Sequence, residues 1–223
     1  MSLQSRVLNR SKAAVLETNK VLRNTYALLA MTLLFSAGTA ALSMKLNLPH
    51  PGPIITLVGY FGLLFLTNRL ARSAWGILSV FALTGFMGMT LGPILNIYVT
   101  HFANGTQLVM TALGGTGAIF LGLSAYALTT RKDFSFMGGM LMAGILVAFL
   151  AGLVGLFVPM PNLHIAVSAM FILLMCGMIL FETSNIINGG ESNYILATVS
   201  LYVSIFNLFT SLLNLLGIFN SED

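Results

Sequence analysis

The chain has 223 residues, of which 57% are hydrophobic and only 7% charged, with a mean hydropathy of +0.93. Soluble domains carry about 25% charged residues, so a soluble fold is excluded and the composition is that of a polytopic membrane protein. The net charge of +4 does not argue for nucleic acid, because Lys and Arg stand at the ends of apolar segments, where they set orientation.

Residues 1–23 carry Arg6, Arg10, Lys12, Lys20 and Arg23 against one acid, Glu17, with scattered apolar positions. This basic tail has two readings: a topology determinant beside anionic lipid headgroups, or an exposed handle for another protein or a processive protease. A cleaved secretory signal fits less well, since a long polar stretch precedes the first apolar one.

Seven spans are predicted, each able or nearly able to cross ~30 Å of hydrocarbon. They are Asn24 to Met44, Pro53 to Thr67, Trp75 to Val99, Gln107 to Thr129, Phe134 to Val158, Leu163 to Ile187 and Tyr194 to Gly217. The fold class is therefore all-α integral membrane: a seven-helix transmembrane domain over 24–218, followed by a short tail at 219–223. Pro53 suits the first position of the second and shortest span, and Arg69 extends its end by snorkelling. In the third, Gly92-Pro93 predicts a kink or local unwinding that frees backbone carbonyls. Small residues recur every four positions as Gly88 and Gly92, as Gly114, Ala118 and Gly122, and as Gly144, Ala148 and Gly152, which predicts close helix packing within the chain.

Nine of the ten Lys and Arg fall in the tail or in the loops bearing Arg69, Arg72, Arg131 and Lys132, with only Lys45 on the opposite side. The positive-inside rule then puts the N-terminus in the cytoplasm and, with seven spans, the C-terminus on the periplasmic side. His50, His101 and His164 share that outer side. They are the raw material of a metal site or a pH sensor, yet they lack ligand spacing and read more plainly as interfacial residues. The single Cys176 lies mid-span and reads as packing.

The last two spans hold the chemistry. Glu182 is the one carboxylate inside a long apolar segment, and Ser200, Ser204, Asn207, Ser211 and Asn214 recur at helical spacing along one face. Such a stripe must face other helices or a wet cavity. The short link Asn188 to Asn193 makes the two spans antiparallel neighbours. Two readings of Glu182 compete. In one it pairs with Arg69, Arg72, Arg131 or Lys132 and pins the bundle; in the other it is a titrating gate that moves helix six against helix seven. Hydrolase, phosphate-binding and metalloprotease motifs are missing, so no catalytic, cofactor or metal residue is assigned and an enzyme is not expected.

Phe181-Glu182-Thr183, Tyr194-Ile195, Ala197, Leu201-Tyr202, Asn207-Leu208-Phe209, Leu212-Leu213 and Leu216-Gly217 resemble the C-terminal signature of the Bax inhibitor-1 (TMBIM) family. Lys20 to Tyr26, Leu91 to Asn96 and Leu128 to Asp133 resemble its bacterial, YccA-like branch. The resemblance implies a seven-helix inner-membrane protein that associates with the membrane-anchored AAA protease FtsH as substrate and modulator, the N-terminal tail being needed for proteolysis. For other bacterial members it implies a pH-sensitive cation or calcium leak, governed by paired aspartates on the last two helices. Here the first of that pair is Glu182 and the second aligns with Ser204, which cannot ionise. A latch in which two acids share a proton does not carry over intact, and protease modulation is the leading expectation, with Glu182-gated leakage of protons or Ca2+ as the alternative.

Overall fold

The computed structural model describes residues 3–158 and 161–220, with side chains from Leu16 onward apart from Leu156 and Pro161. Seven α-helices follow in order: α1 (Leu3–Lys45), α2 (Pro53–Leu70), α3 (Trp75–His101), α4 (Gly105–Thr130), α5 (Gly138–Phe157), α6 (Pro161–Ile187) and α7 (Tyr194–Asn220), with one 3-10 turn, Ser135–Met137, ahead of α5. All seven are long and apolar enough to cross a membrane. Each predicted span therefore falls on a helix, the short second one included.

The ends differ from the sequence reading for local reasons. Helix α1 continues back to Leu3, since the basic stretch contains no Gly or Pro and is rich in helix formers. The side chains of Arg6, Arg10 and Lys12, and the tail at 221–223, lie outside the described residues. Gly52, at φ 87, takes a left-handed turn into α2, and Pro53 supplies its first residue. The fifth helix starts at Gly138 rather than Phe134, because two side chains claim the preceding amides. Asp133 Oδ1 accepts from Ser135 N at 2.8 Å, and Ser184 Oγ accepts from Phe134 N at 3.0 Å.

Helix α7 is the axis of the bundle. It packs on α1, α3, α4 and α6, and Leu201, Tyr202, Leu208 and Leu213 on it are almost wholly buried. Helices α2 and α5 are peripheral, α2 packing on α3 and α5 on α6, and their outer faces expose Ile54, Val58, Phe65, Leu146 and Val154. In water such a surface would aggregate; in a bilayer it meets acyl chains.

Hydrophobicity gives little attraction between helices in lipid, so contact depends on backbone approach. The α1–α3 seam is built this way. A Cβ added at Gly88 would run into Thr39 Oγ1 and the Ser36 carbonyl, and one at Gly92 into Ser43 and the Ala40 carbonyl. Gly144, Ala148 and Gly152 likewise face α6, where Leu174 and Val167 fill the space. The third ridge departs from expectation: Gly114, Ala118 and Gly122 are exposed, and nothing lies near a Cβ built on either glycine. The reason is rotational. Ala112, Thr116, Ser124 and Ala127 are buried, and a position two residues from Ala112 or Thr116 lies about 200° around the helix.

At Pro93 the helix does not unwind, and a carbonyl is freed as expected. Helix α3 is helical through it, and the Met89 carbonyl that the missing N–H leaves unpaired accepts a hydrogen bond from Ser43 Oγ of α1 at 2.9 Å. The freed carbonyl is thus satisfied within the packed seam.

Candidate functional site

The end of α6 is polar where a membrane helix should be apolar, and the packing absorbs it. Glu182, Thr183 and Ser184 are all buried, Glu182 at 8% exposure. The Ser200 hydroxyl of α7 is the polar side chain that acts on the Glu182 carboxyl, and the charged neighbour acting on it is another acid, Glu191 of the α6–α7 link. Among the described residues, none of Arg69, Arg72, Arg131 and Lys132 is brought into an ion pair with it; all four side chains are exposed.

What holds those cationic loops is hydrogen bonding to the α6–α7 region. Ser184 Oγ donates to the Lys132 carbonyl at 2.9 Å and accepts from Phe134 N, while Asn188 Nδ2 reaches the same hydroxyl at 3.1 Å. Asn193 Nδ2 donates to the Ala71 carbonyl at 2.9 Å, and Asn193 Oδ1 accepts from Ile195 N at 2.9 Å, capping α7. The α2–α3 and α4–α5 loops are therefore both sewn to the α6–α7 turn. In the second of these loops, the Ser135 amide holds the exposed Asp133 carboxyl below its ordinary range.

Of the stripe along α7, Ser204 and Ser211 are buried and Ser200, Asn207 and Asn214 half-buried, and its members do different things. Ser204, buried, donates to the Ser200 carbonyl at 2.9 Å, and Asn207 Nδ2 donates to the Val203 carbonyl at 2.8 Å. Ser211 is buried, and Asn214 crosses to α6, donating to Ser168 Oγ at 2.9 Å. Ser200, Ser204 and Asn207 form one wall of a cavity of about 630 Å³ bounded by α2, α3, α5, α6 and α7. The remaining lining is mostly aliphatic and aromatic, with Tyr60, Phe61, Phe149 and Phe171 prominent.

A buried knot on the other side of α7 has no counterpart in the sequence reading. Tyr202 OH lies 2.6 Å from Ser36 Oγ and donates to the Thr84 carbonyl at 3.3 Å, joining α1, α3 and α7 in the interior. Its position within Leu201-Tyr202 makes it look like one more apolar residue. Asn193 was more accessible, being a cap-forming residue immediately before an apolar run.

The three histidines stay apart. His50, His101 and His164 are exposed; His50 Nδ1 accepts from Gly52 N at 3.0 Å, and His164 packs beside Gly155. Among the described residues no three His, Cys, Asp or Glu groups converge in a way that would hold a metal ion. Cys176 is half-buried against the α6 cluster around Met175 and Ile179.

Residues 18–221 match the family described as Inhibitor of apoptosis-promoting Bax1. The chain belongs to the Bax inhibitor-1 family. Among its relatives within that family, an Escherichia coli protein named Modulator of FtsH protease YccA is 57% identical over 96% of this chain and 97% of its own length. The counterpart in a second Escherichia coli strain, named Inner membrane protein YccA, matches equally. An uncharacterized protein of Pseudomonas aeruginosa is 52% identical over the whole of both chains. With seven membrane-crossing helices and relatives of this kind, the Bax inhibitor-1 protein described here is a multi-pass protein of the inner membrane.

Proposed function

We propose that this protein binds and modulates the membrane-anchored protease FtsH, acting as substrate and regulator in membrane-protein quality control without catalysing a reaction itself. The observation that carries the reading is identity of 57%, sustained over 96% of the chain, to a protein named as a modulator of that protease. The structure supplies a means consistent with it. Helix α1 projects well beyond its apolar span, and its basic first part, with Arg6, Arg10, Lys12, Lys20 and Arg23, is the segment a processive protease would engage.

In this reading the N-terminus is cytoplasmic and the C-terminus periplasmic, as the distribution of nine of the ten Lys and Arg favours. The buried seam of α6 and α7 then serves packing: Glu182 is buried beside α7, and the aligned second position, Ser204, is bound to its own helix.

Deleting residues 1–23 tests the proposal. The truncated protein is expected to have a longer half-life in cells containing the protease and to lose co-purification with it; an unchanged half-life with unchanged co-purification overturns the reading. Glu182→Gln, which removes the charge and keeps the shape, is expected to leave both properties unaltered. A loss of protease association in that variant, with the protein still folded, would give the acid a role in modulation that packing alone does not.

A further inference from the structure

The two peripheral helices stand apart. Helices α2 and α5 meet at one aromatic pair, Phe61 and Phe149, edge to face with ring centroids 5.9 Å apart, and have no extended interface. Behind that pair lies the cavity of about 630 Å³. A second cavity of about 260 Å³ shares Thr56, Leu57, Phe149 and Phe171 with it and continues to His50 and Pro53 at the α1–α2 turn. The two adjoin across these shared walls, in a line from a helix end toward the middle of the bundle beside α7.

The chemistry of this cleft calls for an apolar occupant. Four of the polar side chains on its walls direct their donors elsewhere: Thr56 Oγ1 to the Gly52 carbonyl, Thr90 Oγ1 to the Met87 carbonyl, and Ser204 and Asn207 to carbonyls of α7. Among the described residues the Tyr60 hydroxyl has no hydrogen-bond partner, and it adds a polar point to a wall of aliphatic and aromatic groups. Buried polar atoms that already have partners neither attract water strongly nor require a hydrogen-bonding ligand.

Size decides between the apolar occupants a membrane supplies. A spanning helix of ~18 residues and ~10 Å diameter is a cylinder of about 2,000 Å³, far larger than the cleft. At about 30 Å³ per water-sized group, an acyl chain of ~16 to 18 carbons takes on the order of 500 Å³. We propose that the joined cavities are a slot for one acyl chain of a bilayer phospholipid, entered beside His50 and Pro53 and walled along its length by α7.

The test uses the full chain in phosphatidylethanolamine–phosphatidylglycerol vesicles containing a phospholipid with a photoactivatable diazirine midway along one acyl chain. After illumination, adducts are expected on Met175 and Val199, lining residues whose side chains are almost wholly buried. Labelling confined to outward residues such as Ile54, Val58 and Val154 overturns the proposal. Native mass spectrometry of detergent-washed protein gives an independent readout. One retained phospholipid is expected in the unaltered chain and in the surface variant Leu121→Trp, and its loss is expected when Leu57→Trp and Ile145→Trp together fill the slot. Equal lipid retention in filled and surface variants, or a retained mass that is a peptide rather than a lipid, overturns it as well. The labelling arm needs no substitution, so it stands even where the doubly filled variant fails to fold.

Discussion

Replacing one glycine by alanine on each of two helices, Gly88 in α3 and Gly114 in α4, separates the packing account from an account based on composition alone. Both residues begin a small-residue pair four positions apart, and both substitutions gain the same intrinsic helix propensity, about 1 kcal/mol in an aqueous helix. That gain cancels between them, which leaves the environment. At Gly88 the new methyl meets Thr39 Oγ1 and the Ser36 carbonyl, and the carbonyl belongs to a helix backbone that cannot rotate away. At Gly114 it meets nothing within 4 Å. Overpacking of this kind costs about 1–3 kcal/mol, and the backbone obstacle puts Gly88→Ala toward the upper end. For a chain of this length each kcal/mol moves the unfolding midpoint by about 2–4 °C, so Gly88→Ala is expected to melt roughly 5–10 °C below Gly114→Ala. The single, half-buried Cys176 provides the assay, as reaction with a thiol-specific fluorogenic dye during heating in detergent reports opening of the bundle. Equal midpoints, or a lower one for Gly114→Ala, would refute the claim that backbone contact at the α1–α3 seam holds these helices.

Ser43→Ala removes the donor that satisfies the Met89 carbonyl beneath Pro93, and a loss of about 1–3 kcal/mol is expected in the same thermal assay. Tyr202→Phe leaves the Ser36 hydroxyl without its partner in the interior, while the Thr84 carbonyl keeps its bond within α3, and a cost of about 1–2 kcal/mol is expected; adding Ser36→Ala is expected to lower the midpoint little further, and a fully additive double variant would contradict the knot. The pH prediction concerns the α4–α5 loop. Asp133 has its carboxyl held below the ordinary value of 3.8 by the Ser135 amide, so the contact is fully present above that value and is lost as pH falls through the lower folded one. Hydrogen exchange at Ser135, corrected for intrinsic rate, should show protection that disappears only in that acid window, and Asp133→Asn should abolish the pH step.

The spans were legible because twenty-odd apolar residues in a row have one cheap arrangement in a bilayer, where backbone groups must be paired within the helix. The burial of Ser204 and Ser211 was legible for the same reason, since hydroxyls at helical spacing are costly to turn toward lipid. What could not be read was which helix answers which. Gly92-Pro93 announces a broken hydrogen bond, but the repair comes from Ser43, 46 residues before the Met89 carbonyl it serves, and only the α1–α3 contact brings it there. The exposed cations near Glu182 illustrate the converse. Sharing one end of the bundle made ion pairs plausible, whereas Ser184 and Asn193 fix the Lys132 and Ala71 backbones and leave Arg69, Arg72, Arg131 and Lys132 exposed. The ridge at Gly114, Ala118 and Gly122 failed as a packing guide because Thr116 and Ser124, on another face, have the stronger claim to the interior.

The glycine-tight joint between α1 and α3 gives the molecule a mechanical direction. Tension on the first residues is borne at once by the contacts of Gly88 and Gly92, the Ser43 bridge and the Ser36–Tyr202 link. Resistance to unravelling from that end is therefore concentrated at the outset. Once the first rod slips, the central rod loses a flank and a hydroxyl partner together, and the remainder should yield with far less force.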